Sequence, residues 1–258
     1  VKQQKYTTQL QAGLGVIDET IKLLDLWQPG MNKADLYQEA LNSGHFPNVS
    51  ARRLKNLVYE CFATRYLVDG DYPAFILKKI KHLSSKEFLQ ILFLFTARAN
   101  LIFRDFVIEI YWAKYAGGQS FINKEDALEF VNKANKENKT TKDWSETTIK
   151  YASSNLLGCC TAYELLDSDK KGSRKILPYK IEEKTTAFLA YDLHFAGLGD
   201  NAIISHQDWQ LFGLEKEDVK EELKKLTLKN YYVLQSAGNV HDICWRFNNW
   251  EEFLDVFN

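Results

Sequence analysis

The chain has 258 residues, 45% hydrophobic and 14% aromatic, and its 33 Lys+Arg and 34 Asp+Glu leave a net charge of −1. These proportions exclude a disordered chain, a collagen-like repeat, a small disulfide scaffold and a uniformly basic coat for polyanions. The length suffices for one large or two medium domains, each with its own core.

The opening residues Val1-Lys2-Gln3-Gln4-Lys5 are polar and lack the apolar stretch of a signal peptide, so no export is expected. Gly13-Leu14-Gly15 follows, isolated and without the extension that would make a phosphate-binding loop. Helices are predicted over 16–27 and 33–42. The loop Ser43 to Val49 then leads into a helix over 50–66, an order that resembles helix-turn-helix with a longer turn than the usual three or four residues.

That third helix carries the densest basic patch. At 100° per residue, Leu54, Leu57, Val58 and Cys61 form one apolar stripe, while Arg52, Lys55, Asn56 and Tyr59 fall opposite, with Arg53 at the flank. Arginine, lysine, asparagine and tyrosine on one ridge can bind phosphates by charge-assisted hydrogen bonds and offer polar heads to base edges. A solvated helix face is the plain alternative.

Helices are next predicted over 73–81, 85–97 and 99–115. Ser84 with Glu87 makes a capping box, the serine accepting from an orphan amide while the glutamate reaches back. The apolar segment Phe88 to Ala113 has a longest charge-free run of only ten residues, Phe88 to Ala97, so a buried helix pair fits better than a membrane span of about 20 residues. Asn123 with Asp126 opens a helix over 124–136, and Asp143 with Glu146 one over 145–167. The polar stretches Lys133 to Lys142 and Asp167 to Lys175 are the expected exposed connections; the first is the expected boundary between an N-terminal domain, 1–137, and a C-terminal domain, 143–258.

Strand signals are confined to the C-terminal half. Lys175-Ile176-Leu177 with Tyr179-Lys180-Ile181 is a weak one, interrupted by Pro178. After a helix over 184–196 come helices over 206–212 and 215–226. Tyr231 to Gln235 and Asp242 to Phe247 then form a hairpin around Ser236-Ala237-Gly238-Asn239, and a last helix covers 249–257. The order is winged-helix-like, but Glu215, Glu217, Asp218, Glu221 and Glu222 make its helix acidic, which favours packing or a protein partner over DNA. The fold class is thus mainly α, a multi-helix globular protein with a small C-terminal β-hairpin.

Cys61, Cys159, Cys160 and Cys244 make neither a disulfide framework nor a zinc spacing and are expected to be reduced. Asp192 and His194, two apart on a helix, point to different faces and cannot share a metal; His241-Asp242 is a better pair, though a structural histidine is the commoner outcome. No hydrolase, metalloprotease or kinase motif is present. Neither enzyme, cofactor nor metal is expected.

Net charge divides along the chain. Residues 1–115 hold 15 Lys/Arg against 11 Asp/Glu, and 45–104 hold ten against four, a local +6. Local basicity is the form a nucleic-acid footprint takes in a neutral protein.

Tyr6-Thr7-Thr8-Gln9-Leu10-Gln11-Ala12-Gly13-Leu14-Gly15, then Glu19-Thr20, Leu23-Leu24, Phe46-Pro47-Asn48-Val49-Ser50-Ala51-Arg52-Arg53 and Cys61-Phe62-Ala63-Thr64-Arg65-Tyr66-Leu67 resemble the BrxA family, a small component of bacterial BREX phage-defence systems. The resemblance is carried mainly by residues 6–68. It implies a cytoplasmic, non-enzymatic accessory protein, mainly helical, NusB-like in part, able to bind DNA and working with other BREX components. Double-stranded DNA is the favoured ligand and RNA the alternative; a scaffold without nucleic-acid contact is the second hypothesis. Asn48, Ser50, Arg52, Arg53, Lys55, Asn56, Tyr59, Arg65, Lys78, Lys79 and Lys81 are the expected nucleic-acid-binding residues, on the charge argument.

Overall fold

The computed structural model describes residues 5–68, 70, 72–168, 172–237 and 240–257, and among them the protein is mainly helical with two small antiparallel sheets. It divides into two compact units: Val1–Lys81 with Leu92–Tyr179, and His82–Ile91 with Lys180–Asn258.

In the first unit a 3-10 turn, Gln9–Ala12, leads into α1, Ile17–Leu26, and α2, Lys33–Asn42. Asn32 caps α2, accepting from the amides of Ala34 (2.7 Å) and Asp35 (3.2 Å), while Asp35 accepts from the Asn32 amide. The next helical run is continuous: α3, Ala51–Asn56, a π-helical stretch Leu57–Phe62, and α4, Ala63–Tyr66. Its predicted apolar stripe is buried, with Leu54, Leu57, Val58 and Cys61 each at most 2% exposed. α5 covers Tyr72–Ile80, and α6, Ser85–Ala99, begins in the second unit's segment. The Ser84 and Glu87 capping box forms as expected.

α7, Leu101–Phe106, continues through a π-helical stretch, Val107–Tyr111, into α8, Trp112–Ala116. Then come β1, Phe121–Asn123, α9, Lys124–Lys136, α10, Glu146–Ala162, and β2, Ser173–Lys175. The rings of Phe93, Phe103 and Tyr163 meet with centroids 5.5–6.1 Å apart, and Phe106 meets Phe130 at 5.4 Å. Such pairs add about 0.5–1.5 kcal/mol each to the burial of apolar area.

Four expectations change here. A strand, β1, lies earlier than the C-terminal half, and it pairs with β2 in the register Phe121↔Lys175 to Asn123↔Ser173. The strand expected over 175–181 ends at Lys175, opposite the first residue of β1; beyond it Ile176 donates to the Ser120 carbonyl (2.9 Å) and Leu177 turns to that of Leu165 (3.0 Å). α10 is capped by Ser145, accepting from the Thr148 amide at 3.3 Å, rather than by Asp143, and it stops at Ala162, where the chain turns through Glu164 at φ 58°. The polar stretch 133–142 lies inside the first unit: Tyr6 donates to the Lys139 carbonyl (2.7 Å), Thr141 donates to that of Tyr6 (3.1 Å), and Thr140 is buried.

The second unit holds α11, Glu183–Phe195, α12, Asp200–Ile204, a 3-10 turn Gln207–Phe212, and α13, Lys216–Thr227. The hairpin β3, Tyr232–Ala237, and β4, Val240–Trp245, follows, then α14, Trp250–Phe257. Its strands run further than expected, to Ala237↔Val240; the predicted turn residues Gly238 and Asn239 lie outside the described residues. The segment 82–91 belongs here because Gln90 donates to the Lys180 carbonyl and accepts from the Glu182 amide, both at 2.8 Å. Tyr191 centres the core, 4.4 Å from the Phe253 ring and 4.9 Å from Trp245. Asp200 fastens the hairpin, accepting from the Ile243 amide (2.8 Å) and the Trp245 indole (3.1 Å).

Candidate nucleic-acid interface

Ser50 sets the start of α3 by accepting from the Arg53 amide at 3.3 Å, which leaves one orphan donor fewer at the helix end. From there the helical period carries Arg52, Arg53, Lys55 and Asn56 outward; all four are exposed, as is Asn48 in the preceding loop, and Tyr59 is half-buried. The Lys55 ammonium lies 5.5 Å from the centre of the Tyr59 ring.

Two residues of α2 complete the cluster, and the sequence reading missed both. Lys33 places its ammonium 5.2 Å from the same Tyr59 ring, and Tyr37 meets that ring edge-on at 6.1 Å while donating to the Ala51 carbonyl at 3.3 Å. Lys33 opens the preceding helix, so only packing of α2 against α3 shows that the two lysines share one aromatic seat. Periodicity within one helix carries no signal for this. Among the described residues Lys33, Arg52 and Lys55 make no ion pair, so their charges are available to an outside anion. Of the nearby acids, Asp35 is engaged in its cap and Glu60 is exposed.

Other candidates are held elsewhere. Arg53 donates to the Ala12 carbonyl, so its guanidinium is partly engaged although exposed. Arg65 is only 3% exposed and donates to the Gly13 carbonyl, which corrects its expected place on a surface ridge. The physical reason is helical period: Arg65 follows Cys61 by one turn and so lies on the buried stripe with Leu54, Val58 and Cys61. Burial opposes its charge, and the surrounding Tyr163, Tyr66, Cys61 and Cys159 outweigh that, leaving its pKa above the ordinary value. Lys78 donates to the carbonyls of Trp27 and Asp25, and burial lowers its pKa; Lys81 is paired with Asp25. Lys79 is exposed, 5.7 Å from the centre of the Phe75 ring.

Gly13-Leu14-Gly15 has a packing role. A Cβ on Gly13 would stand 2.7 Å from the Cys61 sulfur, one on Gly15 would meet Ala162 Cβ, and one on Gly158 would stand 2.6 Å from Leu14. The motif lets the N-terminal segment lie flush on α10 and the π-helical stretch, where its carbonyls receive Arg53 and Arg65. Arg53 and Arg65 thereby tie the helical run 51–66 to the N-terminal segment.

Three cysteines and His194 are taken up by packing. Burial pushes the Cys159 thiol up to about 12 and raises Cys61 and Cys160 as well, so these thiols stay protonated. His194 stacks on Trp245 with centroids 4.1 Å apart, and burial lowers its pKa. Among the described residues no group of three or more His, Cys, Asp or Glu is placed to hold a metal ion, and no helix is long and apolar enough to cross a membrane.

Comparison with solved structures finds the crystal structure of an uncharacterized protein from Magnetospirillum magneticum, 11% identical, with a TM-score of 0.59 over 74% of this chain and 94% of that one. That likeness is one of fold alone. No curated protein matches. The profile of the BrxA family matches residues 4–192, a span that takes in the glycine motif, the α2–α3 ridge and the first unit through to α11. The chain belongs to the BrxA family, which is associated with BREX defence systems.

Proposed function

We propose that this protein is a non-enzymatic nucleic-acid-binding component of a BREX-type defence system, with double-stranded DNA as its ligand. The observation that carries this function is the gathering of Lys33, Arg52 and Lys55, exposed and without carboxylate partners among the described residues, around Tyr59 on two packed helices. Each can neutralise a phosphate, and Asn48 and Asn56 flank them with neutral hydrogen-bonding heads. Two ammonium groups seated on the Tyr59 ring favour backbone contact over base stacking there, which is why duplex DNA is preferred to a single strand. Lys79 is a further phosphate contact in this scheme, and the helical first unit is NusB-like in part. The cytoplasm is where it would meet DNA and the other BREX components.

Fluorescence anisotropy against double-stranded DNA, single-stranded DNA and RNA at two salt concentrations tests the proposal. Tightest binding to the duplex is expected, with a steep salt dependence that Arg52→Ala with Lys55→Ala reduces by about 0.9 in slope per lost contact. An unchanged slope in that variant would remove the site, and metal-dependent cleavage of any of the three would overturn the non-enzymatic assignment.

A protein-docking role within the same system is the alternative, favoured by Leu228, which is 85% exposed just after α13. Association with other defence components that survives nuclease treatment, with no DNA binding in the titration, would decide for it.

A further inference from the structure

We propose that the DNA contact continues from the ridge across the 43–49 loop onto α1, with Lys22 as a further phosphate contact and Phe46 as the residue that positions it; the inference rests on the DNA-binding function proposed above. Lys22 is exposed on α1, and its ammonium lies 5.7 Å from the centre of the Phe46 ring. Phe46 is only 7% exposed, so the ring is a fixed part of the surface rather than a free side chain. The chain turns directly after it, Val49 donating to the Phe46 carbonyl at 3.1 Å, and that turn carries the exposed Asn48 and leads to Ser50, the cap of α3. Phe46 therefore ties Lys22 to the start of the ridge, just as α1 packs on α2 and α2 on α3.

Lys22 repeats the construction that singles out Lys33 and Lys55. Each of the three seats its ammonium on a ring and is in no ion pair among the described residues. An aromatic face holds a lysine without cancelling its charge, and it takes up one side of the ammonium while the other N–H donors stay free for a phosphate. The carboxylates on the same face of α1 do not capture Lys22. Asp18 and Asp25 lie one turn to either side by the helical period; Asp25 is paired with Lys81, and Asp18, exposed, marks the end of the track. Lys33 meets the ridge at Tyr59 and Lys22 meets it at Phe46, so cations from two other helices bracket Asn48, Arg52, Lys55 and Asn56. Phosphate contacts at both ends of such a row fix the orientation of a duplex along it, which base-edge contacts in the middle cannot do alone.

The test is the salt dependence of duplex DNA affinity for the full chain, read by fluorescence anisotropy. Lys22→Ala should lower the slope of log affinity against log salt by about 0.9, and Lys22→Arg should keep it. Lys150→Ala, which removes an exposed lysine of α10 outside the ridge, should leave the slope unchanged. Phe46→Leu keeps an apolar side chain and removes the ring; it should weaken binding by about two- to five-fold and have no further effect in the Lys22→Ala background. An unchanged slope in Lys22→Ala, or an equal fall in Lys150→Ala, would overturn the contact. A Phe46→Leu loss that persists without Lys22 would overturn the positioning role. Should Phe46→Leu fail to fold, the native chain decides that role: NMR should show the Lys22 side-chain protons shifted upfield by the ring, and unshifted protons would remove the seat. A native chain that binds no duplex would defeat the proposed function itself, whereas a slope that falls for Arg52→Ala with Lys55→Ala but not for Lys22→Ala would confine the DNA surface to α2 and α3.

Discussion

The ridge on α2 and α3 and the helix α13 of the second unit are both rich in lysine, and they use it in opposite ways. In α13 three of the four lysines reach back one turn to a glutamate: Lys220 to Glu217 (2.8 Å), Lys224 to Glu221 (2.7 Å) and Lys225 to Glu222 (2.6 Å). Such pairs between neighbouring turns stabilise a helix by only about 0.2–0.5 kcal/mol each, but they neutralise it toward an outside anion. On the ridge, Lys33 and Lys55 face the Tyr59 ring instead of a carboxylate, and Arg52 faces solvent. What a phosphate meets is thus set by the partner of each cation rather than by the number of cations. A winged-helix-like order of elements does not make the second unit a DNA reader when its helix sets four lysines against four acids and pairs most of them with one another.

The largest effect that could break this contrast is on DNA affinity. Removing Lys33, Arg52 and Lys55 together should lower the slope of log affinity against log salt by about 2.7, since each phosphate contact contributes about 0.9. Removing Lys220, Lys224 and Lys225 together should leave affinity and slope unchanged; equal losses from the two triple variants would erase the distinction between the regions. Next in size is Gly15→Ala, whose methyl group would collide with Ala162. Overpacking of this kind costs about 1–3 kcal/mol, measurable by urea unfolding, and should fall on the first unit. Ser50→Ala removes the cap of α3 and should cost about 1 kcal/mol, with a matching loss of DNA affinity only if ordering of the ridge is coupled to binding.

The smallest effect concerns the second unit and pH. Burial depresses the His194 pKa in the folded state, against a weaker opposing influence of Asp200, so the unfolded chain takes up the proton more readily. Neutral His194 therefore contributes stability above an unfolded pKa of about 6.5, and that contribution is lost as pH falls below it. Denaturant midpoints at pH 7.5 and 5.5 should show a decline that His194→Phe reduces. A decline of the same size in the variant would show that other groups carry it.

Most of the helices were legible because amphipathic period and capping residues act locally. Leu54, Leu57, Val58 and Cys61 are buried as their spacing requires, and Ser84 with Glu87 caps as written. The sheet pairing was not legible: β1 and β2 are three-residue strands separated by two helices, and nothing in Phe121-Ile122-Asn123 names Ser173-Arg174-Lys175 as its partner. The candidate site divides in the same way. Arg52, Lys55 and Asn56 follow from the helical period, whereas Lys33 and Tyr37 reach Tyr59 only through packing between helices.

Family membership and the identity of the basic helix were within reach of the sequence, since both rest on residues close together in the chain, from Tyr6 to Leu67. Tertiary structure alone decided which cations are available. Arg65, Lys78 and Lys81 looked equivalent to Arg52 as charges in a row, but the fold buries the first and gives the others Trp27, Asp25 and their carbonyls as partners. Net charge is a sum over residues, while the field that DNA encounters depends on burial and on the nearest opposite charge, and both are fixed by contacts between segments far apart in sequence.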